Sequence, residues 1–418
     1  MGRKGKIIYI ALFMALCLIP SAGLLAGGGE DSAENEDRAA PPAIHREDGS
    51  LNVRFLSDAG SWFEENFAWR RELVTLNAKL QAGLFGISAE DGVILGSDGW
   101  LYYRDSLNDY TGRDQLSDRA LYDIARTAKI TQDYCSYFGA DYLFVVVPDK
   151  ATLYPEHMPY YYAHKVSDTS NRVRLRAFLE SEDVRFLDLT DVLEGEAARR
   201  KDSPEEDDLT DILYHKRDSH WTAEGAAMAA EAILDELGTA HRTYEAAEAE
   251  VRKVFEGDLE KMLFPAAVTP EEEIVYDPAP DYEYVGEVES NFDPLIQTVS
   301  DGAGISLLMY RDSFGNAILP FLAENFSQAC FSRSVPYDIL FDINLYAPTV
   351  VVAENAERNL PDAASRAPVL QGIPSAFTPD TEGLEEITVR MVCEEEASNP
   401  YFTKIMGIPA QEPKAGTQ

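Results

Sequence analysis

The sequence predicts an α/β protein built on a parallel sheet flanked by helices. Two observations carry this prediction. Helical patterns alternate with short apolar runs, and the run at 142–147 is continuous, rich in β-branched residues and ended by Pro148. A strand buried on both faces gives such a run. Strands that alternate with helices favour a parallel sheet.

The separate elements follow in chain order. Apolar residues recur at helical spacing over 61–85, and two apolar runs around Gly96-Ser97-Asp98-Gly99 are typical of a hairpin. The stretch 239–302 is charged and poorly periodic, and it is interpreted as an insertion of strands and loops. The remaining predictions are helices near 117–138, 171–182, 222–237 and 315–325, and strands near 142–147, 184–187, 305–309, 328–331 and 349–353.

The two ends differ from the folded part at 51–395. Basic residues precede an apolar stretch from Ile7, which is the pattern of an export signal; because it has about the 20 residues that a membrane span needs, residues 1–27 are expected to be a signal peptide or a membrane anchor. Residues 28–50 are polar and are predicted to form a flexible tether. Residues 396–418 are predicted to be a frayed tail. The protein is therefore expected outside the cytoplasmic membrane.

Composition narrows the class of protein. The 418 residues carry 73 Asp and Glu against 36 Lys and Arg, a formal charge of -37. Such a charge repels phosphate backbones, so nucleic-acid binding is not expected. The acidic chain would approach a neutral or cationic polymer more readily. Cys17, Cys135, Cys330 and Cys393 are too widely spaced for a metal knuckle, and neither a metal nor a disulfide framework is predicted.

The first candidate motif is the segment 214–222, YHKRDSHWT, which precedes a helical pattern. Thr222 is a candidate N-cap, so Asp218 and His220 fall in the loop before the helix. A carboxylate two residues before a histidine can accept from one ring nitrogen and leave the other as general base. The alternative is a histidine that only caps or packs against the helix.

The second motif is the segment 309–316, MYRDSFGN, between a predicted strand and a predicted helix. A serine on such a turn exposes its hydroxyl at the sheet edge, near backbone N–H groups and the positive end of the helix. Ser313 is either a nucleophile or simply the helix N-cap. Together the two motifs supply a nucleophile, a base and an orienting acid.

These motifs resemble those of the DHHW family of exported SGNH-hydrolase-like proteins, which are similar to the alginate O-acetylation proteins AlgJ and AlgX. The segments that carry the resemblance are 66–70 (NFAWR), 93–103, 147–150 (VPDK), 218–221 (DSHW), 311–316 (RDSFGN) and 350–358 (VVVAENAER). The resemblance implies that Asp218 and His220 are triad members and that Ser313 is the nucleophile. The triad blocks then stand in permuted order, because the serine block comes first in ordinary SGNH esterases.

Other residues near the motifs have two interpretations each. Arg311 stands where SGNH enzymes usually have glycine, and it either steers an anionic sugar or forms a structural ion pair. Gly315 and Asn316 are candidates for the oxyanion hole. Lys150 either contacts substrate or is solvated, and Trp221 either stacks on a sugar or belongs to the core. Glu357 and Arg358 follow the last strand and are expected to brace the site as an ion pair.

The resemblance implies an O-acetyltransferase for a surface or secreted polysaccharide, which works through an acetyl-serine. No cofactor is predicted. The resemblance also implies a membrane-bound O-acyltransferase partner that supplies acetyl groups. Two alternatives remain open: a hydrolytic acetylesterase with the same triad, and a noncatalytic glycan-binding scaffold.

Overall fold

A computed structural model of the protein describes residues 3–25, 41–46, 48–202, 210–244, 249–334 and 339–365. These residues fall into two units, residues 1–90 with 260–269 and residues 91–259 with 270–418, apart from the stretches left undescribed. The first unit contains helices α1 (Arg3–Leu25), α2 (Phe55–Asn66) and α3 (Arg70–Phe85). The division of the chain into signal, tether, one domain and tail remains a prediction, and residues 396–418 lie outside the described ranges.

The second unit alternates strands and helices as the sequence predicts. Its elements, together with α10, which ends in the first unit, are β1 (Val93–Leu95), β2 (Leu101–Tyr103), α4 (Ser106–Tyr110), α5 (Asp118–Tyr137), β3 (Asp141–Val147), α6 (Lys150–Leu153), α7 (Asn171–Ser181), β4 (Phe186–Asp188), α8 (Thr190–Asp202), α9 (Ala223–Leu237), β5 (Ala249–Phe255), α10 (Asp258–Leu263), β6 (Glu271–Tyr276), β7 (Glu283–Tyr284), β8 (Leu295–Val299), β9 (Ala303–Tyr310), α11 (Gly315–Ala323), β10 (Phe326–Ser332), α12 (Ile339–Tyr346), β11 (Val350–Ala356) and α13 (Leu360–Ser365).

The main sheet of the second unit has, among the described residues, seven strands in the order β4-β3-β11-β9-β10-β8-β7. The first five are parallel; β8 pairs antiparallel with β10, and β7 pairs antiparallel with β8 at the edge. Strands β7 and β8 both come from the stretch 239–302, so part of the segment interpreted as an insertion extends the main sheet. The rest of that stretch includes the separate β5–β6 ladder. The predicted α/β fold with a largely parallel sheet is confirmed.

Strand β3 shows why its sequence is apolar throughout. Leu143, Val145 and Val147 face one buried cluster of side chains, whereas Phe144 and Val146 face another. Because successive side chains of a strand point to opposite faces, a sheet with helices on both sides needs apolar residues at every position. The predicted strand is confirmed within one residue of its bounds.

Parallel strands bring distant parts of the chain to one edge of the sheet, because their carboxyl ends point the same way. Lys150 follows β3, Ser313 follows β9 and Glu357 follows β11. Strand β11 lies between β3 and β9 and pairs with both. The candidate site therefore lies at this edge.

The N-terminal apolar segment is helical over most of its length, as α1. Among the helices in the described part of the chain, none combines the length and the apolar character that crossing a bilayer requires. Cys135 and Cys330 are buried free thiols, whereas Cys393 lies outside the described ranges.

Candidate active site

The loop 213–222 folds back on itself before α9. Thr222 N–H donates to the Leu213 carbonyl at 2.8 Å, and His215 N–H donates to the His220 carbonyl at 3.2 Å. The Thr222 hydroxyl accepts from Gly225 N–H at 3.2 Å, so the predicted N-cap is confirmed. This cap ends the loop at a fixed point two residues after His220.

Three side chains predicted to work together lie in one hydrogen-bonded chain. Asp218 Oδ1 is 2.7 Å from His220 Nδ1, and His220 Nε2 is 2.8 Å from Ser313 Oγ. Because a carboxylate accepts a hydrogen bond from Nδ1, the imidazole proton lies on Nδ1. The lone pair of Nε2 is then left to accept from the serine hydroxyl. Asp218 is buried, whereas the His220 side chain keeps 20% of its surface exposed, so the imidazole is open to reactants.

The Asp218 carboxylate is itself held from two sides. Its Oδ1 also accepts from His220 N–H at 2.8 Å, and its Oδ2 accepts from Asp258 N–H at 2.7 Å. Burial opposes ionisation of this carboxyl, but the hydrogen bond and charge of His220 outweigh it, so the pKa of Asp218 lies well below its usual range. Asp218 is therefore an anion at neutral pH.

Asp258 is a second acid beside the imidazole, and the sequence analysis did not identify it. Its Oδ2 lies 3.7 Å from His220 Nδ1, and its two oxygens accept from the N–H and hydroxyl of Ser219 at 2.8 and 2.6 Å. Burial and the neighbouring Asp218 charge raise the pKa of Asp258. Asp258 comes from a stretch without periodicity, so no local signal marked it.

Asp218, His220 and Asp258 also have ligand atoms within 4.8 Å of one another, a spacing that can hold a cation. Each of these atoms already takes part in a hydrogen bond within the loop. The expectation that the protein uses no metal stays a prediction.

Ser313 lies on the turn between β9 and α11. The N-cap of α11 is Phe314, and no side chain caps it, so the Ser313 hydroxyl is not spent as the helix cap. Asp312 shapes the turn: its Oδ1 accepts from Phe314 N–H at 2.9 Å, and its Oδ2 accepts from Ala356 N–H at 2.8 Å. The carboxylate thus joins the turn to the end of β11.

Arg311 and Glu354 make further contacts to the turn between β9 and α11. Arg311 is buried and donates to the Asn316 side-chain oxygen and, at 2.9 Å, to the Asp293 carbonyl. Burial and the nearby Arg333 charge lower the pKa of Arg311 to about 10. Glu354 accepts from Asp312 N–H at 2.9 Å; burial and the Asp312 charge raise its pKa well above the usual value.

The tentative substrate residues are mostly buried. Arg311 and Trp221 have 3% and 2% of their surface exposed, which puts Trp221 in the core and keeps both away from a sugar in this conformation. Lys150 is 3% exposed, so the expectation of a solvated lysine is wrong. Gly315 packs tightly, since a Cβ there would lie 2.5 Å from the Arg311 Cβ.

Glu357 and Arg358 brace the site with separate partners, not with each other as expected. Arg358 donates to Asp149 Oδ1 at 2.8 Å, and its guanidinium lies 4.9 Å from the centre of the Phe314 ring. Glu357 accepts from the Thr152 hydroxyl at 2.7 Å and from Arg172 at 3.3 Å. The Arg358–Asp149 pair therefore joins the ends of the neighbouring strands β11 and β3, and the Glu357–Arg172 pair joins the end of β11 to α7.

Parts of the chain are similar to known proteins. Residues 93–299 match the family described as "SGNH hydrolase-like domain, acetyltransferase AlgX". The chain is 27% identical over 239 residues to a probable alginate O-acetylase AlgJ of Pseudomonas fluorescens, a match that covers 56% of this chain and 52% of that protein. The chain thus spans about half the length of the curated relatives it matches.

Two solved structures resemble the chain at low identity. A DHHW family protein from Eubacterium siraeum is 18% identical with a TM-score of 0.43, covering 57% of this chain and 85% of that one. Bacillus cereus PatB1 is 15% identical with a TM-score of 0.47, covering 64% and 96%. The match over residues 93–299 confirms the predicted resemblance to SGNH-hydrolase-like proteins.

Proposed function

We propose that this protein is an extracytoplasmic, serine-dependent O-acetyltransferase that acts on a polysaccharide. The observation that carries the proposal is the continuous path for a proton from Ser313 through His220 to Asp218, with contacts of 2.8 and 2.7 Å. A serine hydroxyl is too weak an acid to attack unaided at neutral pH, and a hydrogen-bonded imidazole removes its proton as the new bond forms.

In the first half of the reaction, Ser313 Oγ attacks the carbonyl carbon of an acetyl donor while His220 Nε2 takes the hydroxyl proton. The tetrahedral intermediate collapses, the donor's oxygen leaves with that proton, and acetyl-serine remains. Asp218 stabilises the imidazolium formed on the way. Asn316 N–H donates to the Ser313 carbonyl at 3.3 Å and its side-chain oxygen accepts from Arg311, so Gly315 is the better oxyanion donor of the two.

In the second half, a sugar hydroxyl gives its proton to His220 Nε2 and attacks the acetyl carbon. The ester bond to Ser313 breaks, and the serine oxygen recovers the proton. The same steps with water give hydrolysis. The partly exposed His220 is open to either acceptor, which keeps an acetylesterase as the second candidate.

The names of the relatives support the acceptor class, since those proteins are described as alginate O-acetylases. The family resemblance and the basic, apolar N-terminus support a location outside the cytoplasmic membrane, where a membrane-bound O-acyltransferase would supply acetyl groups. The charge of -37 favours a neutral or cationic glycan over a polyanion as acceptor.

Intact-mass measurement after incubation with 4-nitrophenyl acetate tests the nucleophile. We expect the native chain to gain one acetyl group and Ser313→Ala to gain none. Ser219→Ala is the matched control, because Ser219 Oγ lies 3.2 Å from the other nitrogen of the same imidazole. Labelling that survives Ser313→Ala, or that is lost in Ser219→Ala alone, contradicts the assignment.

Transfer is then distinguished from hydrolysis by adding neutral, cationic and anionic glycans to the labelled protein. Acetyl groups recovered on a glycan support the transferase, and acetate without acetylated glycan supports the esterase. A scaffold without catalysis predicts neither product and no difference between the native chain and Ser313→Ala.

A further inference from the structure

Lys150 is a buried cation that the proposed reaction does not use. It begins α6, directly after β3, and its side chain crosses to the loop of His220. Its ammonium donates to the carbonyl oxygens of His215 and Lys216 at 3.1 Å each and of Asp218 at 2.5 Å. An ammonium has three N–H groups, so these contacts occupy its full donor capacity.

The surroundings of the ammonium offset part of the cost of burying its charge. Its nitrogen lies 5.7 Å from the centre of the Trp100 ring and 5.2 Å from that of Tyr102, and both rings are buried. Aromatic faces attract cations, and three charge-assisted hydrogen bonds offset the loss of water. With 3% of Lys150 exposed and all of its donors engaged, a substrate contact is not available to it.

The loop needs such a partner, because several of its carbonyls converge on one point. Without Lys150, the carbonyls of His215 and Asp218 would lose this donor, whereas the Lys216 carbonyl would keep its bond from Leu101 N–H at 2.8 Å. A buried carbonyl without a donor is unfavourable. The loop is also confined at Arg217, since a Cβ at Gly257 would lie 2.2 Å from the Arg217 carbonyl oxygen. Lys150 and the chain at Gly257 therefore both contact the same short stretch of backbone.

We propose that Lys150 is a positioning residue, which fixes the backbone at 215–218 so that Asp218 and His220 meet Ser313. This inference rests on the proposed acyl-transfer function. The bond to the Asp218 carbonyl is the most direct link, because it holds the residue whose carboxylate orients the imidazole. Lys150 itself touches no reacting atom.

Lys150→Met tests the inference, because methionine keeps most of the side-chain volume and removes the ammonium. We expect kcat for acetyl release to fall about a hundredfold, since small displacements of a catalytic group have effects of that size, while KM changes less than about threefold. Lys201→Met is the matched control: it removes one positive charge from an exposed ion pair with Glu156, and full activity is expected.

A second variant covers the case in which Lys150→Met does not fold. Lys150→Ala leaves a cavity that ethylammonium can enter, and we expect the added amine, but not ethanol, to restore folding and part of the acetylation of Ser313. Restoration supports the inference. No restoration at any amine concentration, an unchanged kcat, or a raised KM with unchanged kcat overturns it.

Failure of the proposed function gives a different pattern. If the native chain and Ser313→Ala behave alike, the acyl-transfer mechanism is wrong. If the native chain reacts, Ser313→Ala does not, and Lys150→Met matches the native chain, only the role of Lys150 is wrong.

Discussion

The loop that carries the imidazole and the turn that carries the hydroxyl are held by groups of opposite charge. A cation, Lys150, binds the loop through carbonyl oxygens, whereas an anion, Asp312, binds the turn through the N–H groups of Phe314 and Ala356. Each anchor has the charge that suits the backbone groups it binds. The difference suggests that the two halves of the site can be disturbed independently.

The largest effect is expected when the contact between the Ser313 hydroxyl and the His220 imidazole is removed. Ser313→Ala or His220→Ala should lower kcat about a millionfold, because members of such a triad act as a unit. The double variant should be no worse than either single variant. His215→Gln is the control within the same loop: His215 is buried, stacks on Phe255 and binds Glu273 at 3.1 Å, so its turnover should stay within about threefold of native.

The next effect separates the two acids on the imidazole side. Asp218→Asn should lower kcat about ten-thousandfold, because an amide at this position favours the wrong tautomer of His220. Asp258→Asn should cost less than about tenfold, since Asp258 faces Ser219 more closely than it faces His220. Steady-state rates with 4-nitrophenyl acetate measure both, and equal losses would contradict the distinct roles.

The turn is tested by Asp312→Asn, which keeps the shape of the side chain and removes its charge. The hydrogen bonds from Phe314 N–H and Ala356 N–H would weaken. The free energy of unfolding should therefore fall by about 2 kcal/mol, and kcat should fall about tenfold. Urea denaturation and rate measurements check the two numbers. An unchanged stability would show that the turn does not depend on its anion.

The smallest effect concerns pH. Burial lowers the pKa of Lys150 to about 8, although the charges of Asp218, Asp258 and Glu271 oppose the shift. A lysine in the unfolded chain has a pKa of about 10.4. Between the two pKa values the unfolded chain binds more protons than the folded chain, so the contribution of Lys150 to the free energy of unfolding rises with pH. The loop meanwhile loses its cation.

We therefore expect turnover to decline several-fold between pH 8 and 9 while the stability of the native chain, measured relative to Lys150→Met, increases. Thermal or urea unfolding of both proteins across this range, with rates at each pH, makes the comparison. A rate that stays level to pH 10 would rule out dependence on the charged lysine.

The sequence was sufficient for the parts of the site that local order encodes. Asp218 and His220 are two positions apart, and Ser313 stands between a clear strand and a clear helix, so short motifs located all three. The α/β pattern also followed from periodicity, because strands such as β3 are apolar on both faces.

The roles of the supporting residues could not be predicted in this way. Lys150 acts on backbone carbonyls 65 to 68 positions away, and carbonyl groups leave no mark in a sequence. Asp258 comes from a charged stretch that lacks periodicity, and burial of Trp221 depends on Phe314, whose ring centre lies 5.0 Å away. Contacts between distant segments decide these roles, and composition does not record them.

The position of β11 has a consequence for biosynthesis. Among the described residues it is the last strand of the sheet in chain order, yet it lies between β3 and β9 and pairs with both. Until residues 350–356 leave the ribosome, the strand ends that carry Lys150 and Ser313 have no common support. The contact between Ser313 and His220 is therefore expected to form only after β11 has been made and has paired with β3 and β9.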